Sequence, residues 1–151
     1  MLAQANSCFR MLMLAPLAAI VACGASLPED VEGYEARCIR MNKDRIEPYE
    51  GDPHKGWKNV YVCNLSTEEV RRPRPFPDGT LIVKDSRREG EDFTWLVATA
   101  RKANGQWSWD EYTRNFSNED HRRLAVPESK CSDCHKKAES SDFIFTRYQL
   151  P

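Results

Sequence analysis

Phe93-Thr-Trp-Leu-Val-Ala-Thr-Ala-Arg-Lys-Ala-Asn-Gly-Gln-Trp-Ser-Trp-Asp-Glu-Tyr112 reads as two strands joined by a tight turn. Asn104-Gly105 is a strong two-residue hairpin signal, because both central positions of that turn need positive φ, which Asn and Gly tolerate. Ahead of it, Phe93 to Lys102 alternates, with Trp95 and Val97 on one face and Leu96 and Ala98 on the other. Behind it, Trp107 and Trp109 alternate with Ser108 and Asp110, the spacing of a half-buried strand. Working outward, Thr80-Leu-Ile-Val-Lys84 reads as a strand entered from the turn Pro77-Asp78-Gly79, and Val60-Tyr-Val-Cys63 is β-rich. Ser66-Thr-Glu-Glu69 has the form of a capping box opening a brief helix, stopped by Pro73 and Pro75. Phe143 to Tyr148 reads as a last strand or extended segment, and there is neither a repeat nor a heptad. The pattern predicts a mainly β fold with short helices (α+β), its sheet antiparallel.

The chain has 151 residues, with 22 Lys+Arg against 23 Asp+Glu and a net charge of −1. Arg10 is the only charged residue among the first 22, which leaves 21 basic and 23 acidic residues from Cys23 onward. That balance gives no support for a nucleic-acid interface. Hydrophobic content of 40% with 10% aromatics suits one globular domain rather than a disordered chain.

Arg10 precedes twelve uncharged residues, Met11 to Ala22, a secretory leader pattern too short for a membrane span of about 20 residues. Ile20-Val21-Ala22-Cys23-Gly24 resembles a bacterial lipoprotein box. That resemblance implies a signal peptide over 1–22, with Cys23 lipidated as the new N-terminus and held at a membrane surface. Gly24 after the cysteine favours the outer membrane. Ordinary cleavage beside an unmodified cysteine is the alternative. Either route puts the domain in an oxidising, periplasm-facing compartment. Residues 23–34 then read as a tether and 35–151 as the folded domain.

Cys8 lies in the leader. Cys38 and Cys63 are most simply a disulfide, closing a loop of about 25 residues and stabilising by about 3 kcal/mol. The competing arrangement, a zinc site shared with Cys131 and Cys134, lacks the closely spaced pairs that zinc sites usually draw on.

Cys131-Ser-Asp-Cys134-His135 has the attachment signature of a c-type haem. Two thiols at this spacing reach the two vinyl groups on one porphyrin edge, and the next residue brings its imidazole over the ring. Cys131 and Cys134 would form the thioethers and His135 would bind iron. A thioredoxin-like dithiol is the rival, but that motif opens a helix within a βαβ unit. Met41, His54 and His121 are the remaining sixth-ligand candidates in the mature chain. None is placed by a motif, so the sequence leans towards five-coordinate iron open to a small gaseous ligand. A periplasmic electron-transfer cytochrome with six-coordinate haem is the alternative.

Three blocks resemble the family of cytochrome P-460 and cytochrome c′-beta: Val60-Tyr-Val-Cys-Asn64, Phe76-Pro-Asp-Gly-Thr-Leu-Ile-Val-Lys84, and the haem segment followed by Asp142 to Tyr148. The resemblance runs from about residue 55 to the end. It implies an antiparallel β fold, usually a homodimer, with one haem c per chain. It implies nitric oxide or a related small nitrogen oxide as ligand, and in the P-460 branch oxidation of hydroxylamine. A lysine bonded to the haem edge in that branch falls on Lys84. The branch's distal glutamate falls on Val97, a departure that argues against an oxidase. Asp110 and Glu111 on the next strand are the possible substitutes, and acidic residues on such strands usually occupy the wet face. Phe93, Trp95 and Trp107 are candidates for an apolar distal cap. A periplasmic electron-transfer protein is the implied redox partner.

Overall fold

The computed structural model describes residues 27–149. Residues 1–22, read as a signal peptide, and Cys23 lie outside the described residues. The elements run α1 (Tyr34–Arg37), β1 (Ile39–Arg40), β2 (Trp57–Cys63), α2 (Thr67–Arg71), β3 (Leu81–Arg87), β4 (Leu96–Ala103), β5 (Gln106–Thr113), β6 (Arg122–Arg123), α3 (Glu128–His135) and a 3-10 segment, Lys136–Ser141. The six strands form one antiparallel sheet in chain order, as a meander. The fold is mainly β with short helices, as the strand periodicity requires.

The central hairpin forms where the Asn-Gly signal stands. Asn104 has φ 52° and Gly105 φ 73°, the left-handed pair of a type I′ turn. Strand β4 starts at Leu96, so Phe93 to Trp95 lie before it rather than in it. The capping box is complete: Ser66 accepts from the Glu69 N–H, and the Glu69 carboxylate accepts from the Ser66 N–H. The expected last strand over Phe143 to Tyr148 does not form: Phe143 closes a turn and 144–149 has no regular secondary structure. The sequence reading did not anticipate α1, β1, β6 or the helix carrying the haem motif.

Register divides the side chains between two cores. Val60, Lys84, Ala98 and Glu111 form one row across β2 to β5, on the same face as Val62, Ile82 and Ala100. Tyr61, Val83, Val97 and Tyr112 pack on the opposite face. Leu27, Val31 and Tyr34 close over that second face, so 27–34 is folded into the core rather than serving as tether. Burial of these apolar side chains, each worth about 1.5–3 kcal/mol, explains why the segment is drawn in.

Cys38 and Cys63 are joined as a disulfide, across the antiparallel pair β1 and β2. Zinc shared with Cys131 and Cys134 is thereby excluded.

Candidate functional site

A cavity of about 230 Å³ lies on the Lys84 face of the sheet, under α3 and the segment 144–146. Cys131, Cys134 and His135 all line it. They sit at i, i+3 and i+4 on α3, so helical geometry puts them on one side. Both cysteines are free thiols. Cys131 is the fourth residue of its helix, and burial pushes its thiol up from the ordinary value. A redox-active dithiol needs the reverse, a thiol lowered at a helix N-terminus, so the thioredoxin-like alternative finds no support.

His135 Nδ1–H donates to the Phe143 carbonyl oxygen at 2.6 Å. A carbonyl only accepts, so the proton is on Nδ1 and the neutral ring keeps its free lone pair on Nε2. Burial lowers His135 to about 4, so the ring is neutral at pH 7. Trp109 lies against it with centroids 3.9 Å apart and planes inclined by 39°, and Phe145 meets it edge-on at 5.2 Å. The Phe143 carbonyl is brought back by a sharp reversal, with Asp142 at φ 56° and Phe143 at φ 63°. Asp142 holds that reversal. It pairs with Lys102 at 2.7 Å and accepts from the Phe76 N–H at 2.8 Å and from Trp107 Nε1–H at 3.3 Å.

Lys84 also lines the cavity. Its ammonium is not in solvent: burial first, then the Lys58 charge, push its pKa down, against the pull of Asp52 and Glu111. Lys84 Nζ lies 3.2 Å from His54 Nδ1, and His54 Nε2 lies 2.9 Å from Glu111 Oε1. With Glu111 ionised, the carboxylate accepts from Nε2–H, which leaves Nδ1 to accept from Lys84. Glu111 is therefore a cavity residue, its side chain 17% exposed, and not a wet-face carboxylate. The loop carrying His54 is fastened by Asp52, which accepts from the His54 N–H at 3.0 Å and forms a buried ion pair with Lys58. Gly56, at φ 101°, lets that loop approach β3, because a Cβ there would run into the Arg87 carbonyl.

Several expectations are corrected by register. Val97 is fully buried in the opposite core, so its identity says nothing about a carboxylate in this cavity. Phe93 and Trp95 are also remote, under Arg114 and Arg88 respectively. Trp107 packs edge-on against Phe76. The aromatic cavity residues are Trp109 and Phe145. Trp109 was legible only as one of an alternating pair, which cannot say which tryptophan meets the helix. Met41 is fully buried in the core and His121 lies beside Thr94 in a different cleft, so of the three sixth-ligand candidates His54 alone lines the cavity.

Among the described residues, no three His, Cys, Asp or Glu side chains are grouped to hold a metal ion. His135 offers a single imidazole donor beside two thiols, a set that suits a metal carried by an organic ring. The apolar lining of Val60, Ile82, Ala98, Ala100 and Ile144 suits such a ring as well. The cavity, of about 230 Å³, is smaller than the roughly 300–1,000 Å³ of typical ligand pockets and is open to the surface, so a flat ring would lie partly outside it.

No protein-family model matches the chain, and no curated protein matches it.

Proposed function

We propose that the chain is a c-type haem protein of the cytochrome P-460 and cytochrome c′-beta kind. One observation carries the reading: Cys131, Cys134 and His135 line one cavity from one helix face, with His135 Nδ1–H held by the Phe143 carbonyl. A histidine ligand usually donates its other ring N–H in this way, which fixes its tautomer and aim. Cys131 and Cys134 would hold the haem by thioethers, and His135 would be the iron ligand. Bound there, the haem would supply an open coordination position for nitric oxide or a related small nitrogen oxide, and electron transfer for hydroxylamine oxidation.

The remaining residues have their own tasks on this reading. Trp109 and Phe145 exclude water from the His135 ring. Lys84, His54 and Glu111 form a hydrogen-bonded chain able to hold or move a proton at the cavity wall. Lys84 would contact the haem, and a covalent bond to it is the P-460 form of the proposal. The oxidising compartment, lipidation at Cys23, homodimer and redox partner belong to the same proposal and rest on the leader and the resemblance.

The test is maturation of the full chain in a host competent for cytochrome c assembly. The denatured protein is expected to keep its pigment and to carry the mass of one haem, both lost in Cys131→Ala/Cys134→Ala. A colourless product overturns the proposal. A five-coordinate ferrous spectrum is expected, whereas a low-spin one supports the electron-transfer alternative with His54 as sixth ligand. A tryptic peptide joining Lys84 to the haem peptide decides the cross-link.

A further inference from the structure

Four arginines converge on a second cleft, away from the haem-motif cavity. Arg71, Arg72, Arg74 and Arg147 line it with Ser140 and Tyr148, and no acidic residue does. It lies between the end of α2 and the C-terminal segment, with a volume of about 650 Å³. Among the described residues, none of the ion pairs uses any of these four guanidinium groups. This concentration is unusual for a chain of net charge −1.

Arg74 is the most constrained of the four. Its Nη2 donates to the Thr146 carbonyl at 2.9 Å, and its guanidinium lies 3.5 Å from the centroid of the Phe76 ring. Its Nη1 is buried and has no hydrogen-bond partner. A buried N–H without an acceptor is costly. Arg147 adds like-charge repulsion, and burial with that repulsion lowers Arg74 to about 10. The nearest acid, Asp142, is committed to Lys102 and the Phe76 N–H. Arg71, Arg72 and Arg147 are exposed and can reorient their planar forks towards a ligand. Such forks match phosphate oxygens in pairs, and an anion bound between them would relieve the repulsion between Arg74 and Arg147.

We propose that this cleft binds a phosphate-bearing anion, either free or at the end of a lipid. The four convergent guanidinium groups match an anion with several phosphate oxygens, and the absence of acidic lining residues sets its charge. The inference stands on the arginine cleft alone and does not depend on haem.

The test is calorimetric titration of the full-length protein as purified, at constant ionic strength. The probes are inorganic pyrophosphate and, below its micelle concentration, dihexanoyl phosphatidic acid, with dihexanoyl phosphatidylcholine as control. Saturable binding at one site per chain is expected, weakened at least tenfold in Arg72→Ala/Arg147→Ala. Both side chains are exposed, and an unchanged melting curve checks that the variant folds. Arg72→Lys/Arg147→Lys should restore only part of the loss, because lysine keeps the charge without the fork. Pyrophosphate binding alone identifies a free phosphate ligand, and binding of the phosphatidic acid but not the phosphatidylcholine identifies a lipid one. Absence of binding by both probes, or binding that the alanine variant leaves unchanged, overturns the inference.

Discussion

His135 and Phe143 are eight residues apart and joined by a 2.6 Å hydrogen bond from an imidazole N–H to a backbone carbonyl. The bond fixes which nitrogen faces the cavity, and it depends on a chain reversal in which Asp142 and Phe143 both have positive φ.

Asp142 is the clamp of that reversal. Its pair with Lys102 is buried, the two side chains being 5% and 10% exposed. Asp142→Ala leaves an uncompensated buried ammonium, a change that costs about 3–5 kcal/mol. Chemical denaturation should register this loss. If the proposed haem is bound, a spectral change reporting on His135 as its ligand should accompany it.

Trp109→Ala removes the face against which His135 lies. Truncating a buried tryptophan costs about 3–5 kcal/mol, and a half-buried one about half of that. The predicted outcome is a loss of about 2 kcal/mol in urea unfolding and, if the proposed haem is bound, a broadened haem spectrum as the imidazole loses its fixed orientation.

Glu111→Gln keeps a hydrogen-bond partner for His54 but removes the carboxylate. On the proposed function, if the chain of Lys84, His54 and Glu111 moves protons, any hydroxylamine oxidation by the haem-loaded protein should slow by about 10²-fold or more while nitric oxide affinity is kept. Steady-state turnover and ligand titration on the same sample separate these effects. Equal losses in both would remove the proton-transfer role.

Cys38→Ser/Cys63→Ser should lose about 3 kcal/mol, as expected for a loop of this length. Unfolding with and without reductant checks it, and the double variant should be insensitive to reductant.

His121 provides a pH dependence remote from the candidate haem cavity. Burial chiefly, with the Arg114 charge, lowers its pKa from 6.5, while a backbone hydrogen bond at Thr94 and Asp120 act the other way. Its Nε2 is buried without a partner. The unfolded chain takes up the proton more readily, so the contribution to stability is present above pH 6.5 and is lost as pH falls through the folded value. Denaturant midpoints at pH 8 and pH 5 should differ less in His121→Phe than in the parent.

The sequence by itself determined the hairpin at Asn104-Gly105, the capped helix behind Ser66 and the spacing of Cys131, Cys134 and His135, whereas the helix that gathers those three on one face came from the structure. Each depends on backbone sterics or side-chain spacing within a few residues, which any chain must obey locally. The tertiary structure alone decided that Val97 turns away from the cavity and Glu111 towards it, since a shift of one residue in register reverses every side chain of a strand. It also brought His54 to Glu111 across 57 residues and Lys102 to Asp142 across 40. Contacts at such separations are set by how the loops close over the sheet, and no local pattern encodes them.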